Sequence, residues 1–125
     1  MISCMLEDKN RDLAYNDIQE SINIILDYIK DLTEDVFKQD RKTQDAVIRN
    51  LEVIGEAVKD IPKKVRSRYP EIPWISIIGM RNKLIHHYFG VDLDIIWKTI
   101  HDDIPRLKLI IEEIIKDREN STKKE

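Results

Sequence analysis

The chain has little of what disulfide-rich, turn-rich or membrane-spanning proteins need. Its 125 residues include one cysteine, three glycines and four prolines, and aromatic residues make up 6% of it. A single thiol, Cys4, excludes an intrachain disulfide and a structural zinc site built on paired cysteines. The scarcity of glycine and proline argues against a β-sandwich, which needs many tight turns. This composition favours long helices with solvated surfaces.

Long apolar runs are also missing. The most apolar stretch, residues 72–80, is far shorter than the roughly 20 residues that cross a bilayer. The first residues lack the basic and apolar regions of a secretion signal. We therefore expect a cytoplasmic protein with a single domain over residues 1–125, whose core covers about residues 10–116 and whose tail, residues 117–125, is frayed.

What the chain does have is charge, 36% of its residues, between apolar residues that recur with a helical period. The pattern predicts a long helix over about residues 8–32 and a short helix after the N-cap Thr33. A second long helix follows, which Asp40 caps and Pro62 ends. One face of it carries five apolar residues at helical spacing: Val47, Leu51, Ile54, Val58 and Ile61.

The second half predicts two more helices. Residues 62–73 form a connector with at most a short helix, and Pro73 opens a third helix that runs to Gly90. Asp92 is the N-cap of the last helix, in which Pro105 predicts a kink or a break. Four main helices with short connections indicate an all-α protein, an antiparallel bundle of four or five helices.

Two glycines, Gly55 and Gly79, lie inside predicted helices. A glycine there is less favourable than alanine by about 1 kcal/mol. We expect a close approach between helices to compensate at both positions.

Charge is unevenly distributed along the chain. Residues 1–40 carry 4 Lys and Arg against 10 Asp and Glu, residues 41–83 carry 10 against 5, and residues 84–125 carry 7 against 9. The basic middle third includes Lys63, Lys64, Arg66, Arg68, Arg81 and Lys83. Such a cluster can contact phosphates even on an acidic protein, although charge alone favours a plain solvated surface.

Polar chemistry is concentrated between Gly79 and Asp92. On a helix, Asn82 and His86 share one side, whereas Arg81 and His86 point about 140° apart. One straight helix therefore does not aim both at the same substrate atom. Two copies whose third helices face each other across a two-fold axis bring Arg81 and His86 of each chain into a shared cleft.

That cleft suits cleavage of RNA without a metal or other cofactor. His86 is the candidate general acid or base, because imidazole titrates near neutral pH, and Arg81 the candidate phosphate ligand. Asn82 is placed to orient His86, and Tyr88 to hydrogen-bond a phosphate oxygen or the ribose. Further candidates for contacting RNA are Lys83, His87, Lys63, Lys64, Arg66 and Arg68. The spacing of histidines and carboxylates matches no metal motif.

Simpler interpretations apply to several of these residues, because a lone histidine on a helix is more often structural. His101 is expected to be such a residue, and His87 is either a neighbour of the site or an ordinary surface residue. Glu52 and Glu56 are expected to form an exposed or arginine-paired helix edge. Support of the site by Glu52 is the lesser alternative.

The chain resembles the HepT group of HEPN domains. Its signature, R-x-x-x-x-H-x-Y, is matched by Arg81, His86 and Tyr88, with Asn82 as the polar residue after the arginine. The similarity covers about residues 10–110. It includes residues 43–57, Pro73-Trp74, Gly79-Met80-Arg81-Asn82, residues 87–92 and Trp97. One departure is Ile75, where family members often carry a basic residue.

The resemblance implies a homodimeric HEPN bundle whose shared cleft cleaves RNA. It also implies that the chain is the toxin of a type VII (HEPN/MNT) toxin–antitoxin system. Its partner is then a minimal nucleotidyltransferase antitoxin, which can neutralise the toxin by AMP transfer from ATP to Tyr88. Two alternatives stay open. One is a non-catalytic helical protein that binds a nucleotide or RNA, or serves the nucleotidyltransferase as partner or substrate. The other is a structural protein whose motif packs the dimer interface.

Overall fold

A computed structural model describes residues 2–86 and 92–123, with side chains for residues 9–84 and 92–121. All regular structure in these ranges is helical, which confirms the all-α prediction. The helices are α1 (Ile2–Ile29), α2 (Glu34–Gln39), α3 (Arg41–Val58), α4 (Lys63–Arg66), α5 (Trp74–His86) and α6 (Leu93–Lys123). None of the described helices is long and apolar enough to span a membrane.

Three of the predicted N-caps are confirmed. The Thr33 hydroxyl accepts a hydrogen bond at 3.3 Å from the first turn of α2. One carboxylate oxygen of Asp40 accepts from the Thr43 amide at 3.1 Å, and the other accepts from the Thr43 hydroxyl at 2.6 Å. The Asp92 carboxylate accepts at 2.9 Å from the backbone of α6. Each cap satisfies amides that a helix start leaves without a partner.

The cap on α3 predicts a pH dependence of stability. Hydrogen bonds from the Thr43 hydroxyl and amide hold the pKa of the Asp40 carboxyl below its ordinary value. A pKa lower in the folded than in the unfolded state stabilises the fold above about pH 4, and this contribution is lost as the pH falls through the folded pKa. Asp40→Ala should therefore unfold at a lower temperature than the wild type at neutral pH, with a gap that narrows below about pH 4. Thermal unfolding by circular dichroism measures the difference in unfolding temperature between the variant and the wild type. An equal difference at neutral pH and below about pH 4 would contradict the prediction.

The bundle is arranged around α1 and α3. α1 packs against α3 and α6, and α3 also packs against α5. α1 and α6 are antiparallel, because Arg118 near the end of α6 bonds Asp12 near the start of α1, while Asp94 pairs with Lys38 just beyond the end of α1. The fully buried side chains of the long helices include Tyr15, Ile18, Ile22, Ile25, Val47, Leu51, Ile54, Val58, Ile100, Ile104, Leu107 and Ile111.

The last helix differs from the prediction in two ways. It is continuous through Pro105, so of the two predicted outcomes, a kink or a break, the break is excluded. Ile104 and Leu107 are fully buried on either side of the proline, and this packing holds the helix together where one backbone hydrogen bond is missing. The helix also continues to Lys123, well into the tail that we expected to fray, and the Arg118 side chain anchors it to Asp12 at 2.8 Å.

Helix boundaries in the first half differ by a few residues. α1 begins at Ile2 instead of residue 8, and α3 ends at Val58, before Pro62 is reached. The buried face of α3 is as predicted, and Ile61 stays buried beyond the helix end. The short helix α4 lies within the predicted connector.

Candidate functional site

The site begins where α5 crosses α3 at Gly55. A Cβ atom at this position would lie 3.0 Å from the Ile77 carbonyl oxygen and 3.1 Å from the Arg81 Cβ. Both distances are too short for any residue but glycine without a shift of α5. The predicted close approach at Gly55 is confirmed, and it brings Arg81 directly against α3.

Arg81 is held at this crossing by an ion pair. Its Nε lies 2.7 Å from Oε2 of Glu56, the residue that follows Gly55. The Lys59 Nζ lies 3.3 Å from the same oxygen, and the Arg81 Nη1 donates a weak hydrogen bond of 3.4 Å to the Asn82 side-chain oxygen. The Arg81 side chain is 35% exposed. Its guanidinium is thus fixed on one side and accessible on another.

The structure identifies Glu56 as a site residue that the sequence did not single out. An exposed or arginine-paired helix edge was predicted for both glutamates, and the structure shows the paired form: Glu52 pairs with Arg49 at 3.7 Å and Glu56 with Arg81. Glu52 makes no ion pair or hydrogen bond to Arg81. The signal that favoured Glu56 was its place beside Gly55, the residue of close helix approach.

An acidic groove lies on one side of Arg81. It runs between α1 and α3 and has a volume of about 510 Å³. Its charged lining consists of Asp17, Glu52, Glu56, Asp60, Arg49 and Arg81. Both arginines are paired with glutamates, so this acidic groove repels a polyanion. Within the described residues, no group of three His, Cys, Asp or Glu side chains is placed to hold a metal ion.

The exposed face of α5 carries the second glycine. A Cβ atom at Gly79 would meet nothing within 4 Å, so the predicted close approach within the chain is wrong at this position. Ile75, one turn earlier, is 86% exposed, and Asn82, one turn later, is exposed. The departure from the family at Ile75 therefore places an apolar side chain in solvent. Within the part of the chain that the structure describes, the side of α5 that carries Ile75 and Gly79 is open.

His86 is the last residue of α5, and its backbone is described but its side chain is not. His87 and Tyr88 lie outside the described residues. The structure therefore places Arg81 and Asn82 in contact on the helix that also carries His86, and the roles of the two histidines and of Tyr88 stay predictions.

The basic candidates divide into two groups. Lys63, Lys64, Arg68 and Lys83 are exposed and have no ion pair among the described residues. Arg66 is half-buried, and its Nε donates at 3.0 Å to the carbonyl of Ile61, in the turn between α3 and α4. Arg66 thus closes the connector, which makes it a weaker candidate for contacting RNA than the other four.

His101 has the structural role expected of it. Its side chain is exposed, Nδ1 lies 2.9 Å from the Trp97 carbonyl oxygen, and the two rings are 4.0 Å apart. These contacts satisfy the imidazole at the surface of α6. His101 is thus a suitable control residue for tests of His86.

Comparison with known proteins places this geometry in a family. The family model for Ribonuclease HepT-like proteins matches residues 18–114. The chain is 50% identical over 103 residues to "Putative RNase MJ0127" of Methanocaldococcus jannaschii, covering 82% of this chain and 85% of that protein. It is 51% identical over 92 residues to "Probable ribonuclease HepT" of Thermococcus cleftensis, covering 74% and 84% of the two chains.

A bacterial relative shows the same likeness at lower identity. "Putative RNase TTE0752" of Caldanaerobacter subterraneus is 42% identical over 98 residues, covering 78% of this chain and 88% of that protein. No solved structure matches the chain. The family model spans the Gly55 crossing, the Arg81 ion pair and the whole of α5. The chain belongs to the HepT-like ribonuclease family.

Proposed function

We propose that the chain is a metal-independent endoribonuclease, the toxin of a type VII toxin–antitoxin system that acts in the cytoplasm. The observation that carries the proposal is the state of Arg81. Glu56 holds its guanidinium against α3, the Arg81 side chain is 35% exposed, and the same helix ends at His86. A positioned arginine and an imidazole, which titrates near neutral pH, are groups suited to phosphodiester cleavage.

The chemistry uses the RNA 2′-hydroxyl as the nucleophile. The bond between the 2′-oxygen and phosphorus forms while the bond from phosphorus to the 5′-oxygen breaks, which leaves a cyclic phosphate and a free 5′-hydroxyl. His86 accepts the proton of the 2′-hydroxyl or donates one to the departing 5′-oxygen. Arg81 stabilises the extra negative charge on the phosphate in the transition state. No oxidant, metal or cofactor takes part.

A second copy of the chain completes the cleft in this proposal. With about 100° per residue, positions 75, 79, 82 and 86 fall on one stripe of α5, within about 60° of each other. Ile75 is exposed on this stripe, and Gly79 has open space where its side chain would be. Close packing of two such stripes across a two-fold axis covers Ile75, explains a glycine at position 79 and places the His86 of each copy at the interface.

The partner that we propose is a minimal nucleotidyltransferase antitoxin. Transfer of AMP from ATP to the Tyr88 hydroxyl forms a phosphodiester on the tyrosine and releases pyrophosphate. The bound adenylate is bulky and negatively charged, so it repels RNA phosphates at the cleft. The site can thus be closed without unfolding the protein.

The test compares the protein expressed alone with the protein co-expressed with a minimal nucleotidyltransferase. Intact mass and RNA cleavage in the presence of a chelator are measured on both samples. We expect cleavage by the first sample, and in the second the added mass of AMP on Tyr88 with loss of cleavage. A Tyr88→Phe variant that gains no mass and stays active after co-expression is the control. Unchanged mass and no cleavage in either sample would contradict the proposal and favour a binding partner without catalysis.

A further inference from the structure

We propose that Glu56 is a positioning residue for Arg81, which holds the guanidinium ready for the scissile phosphate before RNA binds. This inference rests on the proposed function, because positioning matters only if Arg81 acts on a phosphate. The proposal rests on the close contact between α3, which carries Glu56, and α5, which carries Arg81. Gly55 lets α5 approach α3, and the adjacent Glu56 then reaches the Arg81 Nε at 2.7 Å.

Without such a partner, Arg81 would have a long side chain with many rotamers. Only a few of these rotamers aim the donors at the phosphate. Restricting the side chain to them when the transition state forms costs conformational entropy. Glu56 removes part of this freedom in the free enzyme. The Glu56 carboxylate comes from a different helix than Arg81, so the direction of the guanidinium is set by the packing of α3 on α5.

The donors of Arg81 are divided in a way that fits this role. Its Nε lies against Glu56, and Nη1 bonds weakly to Asn82 at 3.4 Å. Nη2 donates no hydrogen bond to a described residue. An arginine presents five N–H donors in a planar fork, so both terminal nitrogens keep hydrogens for phosphate oxygens while Glu56 engages the opposite side.

The negative charge of Glu56 opposes RNA binding, so its presence next to Arg81 calls for another role. A carboxylate that is 57% exposed beside a phosphate-binding arginine repels RNA and weakens binding of the polyanion. Lys59 lies 3.3 Å from the same carboxylate oxygen and offsets part of that repulsion. A positioning role and a purely electrostatic role therefore predict opposite effects when the charge is removed.

The kinetic test is Glu56→Gln, which keeps the size of the side chain and removes its charge. If Glu56 positions Arg81, kcat for RNA cleavage falls by roughly 10-fold, while KM stays the same or decreases because a negative charge has left the site. Glu52→Gln is the matched control, because Glu52 lies one turn away on α3, lines the same groove and pairs with Arg49 instead. This control should keep the wild-type kcat. An unchanged or higher kcat for Glu56→Gln would overturn the proposal, the higher value meaning that Glu56 competes with the phosphate for Arg81.

A second measurement does not depend on cleavage. In spectra of the arginine side chains with ¹⁵N labelling, the Arg81 Nε–H signal should exchange slowly with water in the wild type and in Glu52→Gln. It should exchange at least several-fold faster in Glu56→Gln, and Arg81→Lys assigns the signal by its loss. If the wild type does not cleave RNA, the proposed function fails, and this exchange rate alone decides whether Glu56 fixes Arg81. Equal exchange in the wild type and Glu56→Gln would overturn the proposal even in an active enzyme.

Discussion

His86→Ala is expected to lower the rate of RNA cleavage by about 10²–10⁴-fold, the range that general acid–base catalysis contributes. His86 lies in the last turn of α5, after the buried Leu84, so truncation of its side chain leaves the packed part of the helix in place. Cleavage of a labelled RNA under single-turnover conditions measures the chemical step directly. Thermal unfolding on the same samples shows whether the fold is intact.

His101→Ala is the control for this prediction. His101 is exposed on α6 and bonds only within that helix, so its removal should leave cleavage unchanged. Arg81→Ala should also abolish cleavage, but it breaks the ion pair with Glu56, so its Tm is compared with that of Glu56→Ala. If His86→Ala and Arg81→Ala lowered stability and left the rate per folded molecule unchanged, the motif would serve packing instead of catalysis.

Gly55→Leu is expected to damage stability and activity together. Its Cβ alone would lie 3.0 Å from a backbone oxygen of α5 and 3.1 Å from the Arg81 Cβ, and leucine adds three further carbon atoms at this contact. Overpacking of this kind destabilises a fold by about 1–3 kcal/mol. The strain moves α5, and Arg81 with it, away from α3. The rate of RNA cleavage should therefore also fall at temperatures at which the variant is still folded. Chemical denaturation and the cleavage assay measure the two effects, and a Gly55→Leu variant with wild-type stability would show that the close approach is not required.

Gly79→Leu is the matched substitution on α5. No described atom lies within 4 Å of the added Cβ, so the protomer itself should lose no stability. If the stripe of α5 forms the interface between two copies, the bulky side chain separates them. Sedimentation velocity should then show a shift from dimer to monomer, with loss of cleavage. A Gly79→Leu variant that remained dimeric and active would place the interface elsewhere on the protein.

The starts of the capped helices were predictable because capping is local. Thr33, Asp40 and Asp92 each supply an oxygen to amides two or three residues away, and no distant contact is needed for that. Helix ends were less predictable. α6 passes Pro105 and reaches Lys123 because buried neighbours and a contact with α1 stabilise it, and these contacts depend on residues far apart in the sequence.

Gly55 and Gly79 also show which features local sequence predicts and which depend on tertiary packing. Both have the same sequence signature, a glycine inside a helical pattern, and the same expectation was drawn for both. Gly55 lies within the contact between α3 and α5, whereas Gly79 lies on a face of α5 where no described atom is within 4 Å of its Cβ position. The periodicity of a single helix does not state which neighbour covers each of its faces.

By itself, the sequence determined the helical class, the capped starts of α2, α3 and α6, the buried face of α3, and the residues that carry the family signature. These properties follow from short-range hydrogen bonding and from the helical repeat, which act over a few residues. Only the tertiary structure decided that Glu56 is the residue that holds Arg81 and that the stripe of Ile75 and Gly79 is open. The physical reason is that both depend on how closely two helices approach each other, and this distance is set by packing between residues distant in the chain.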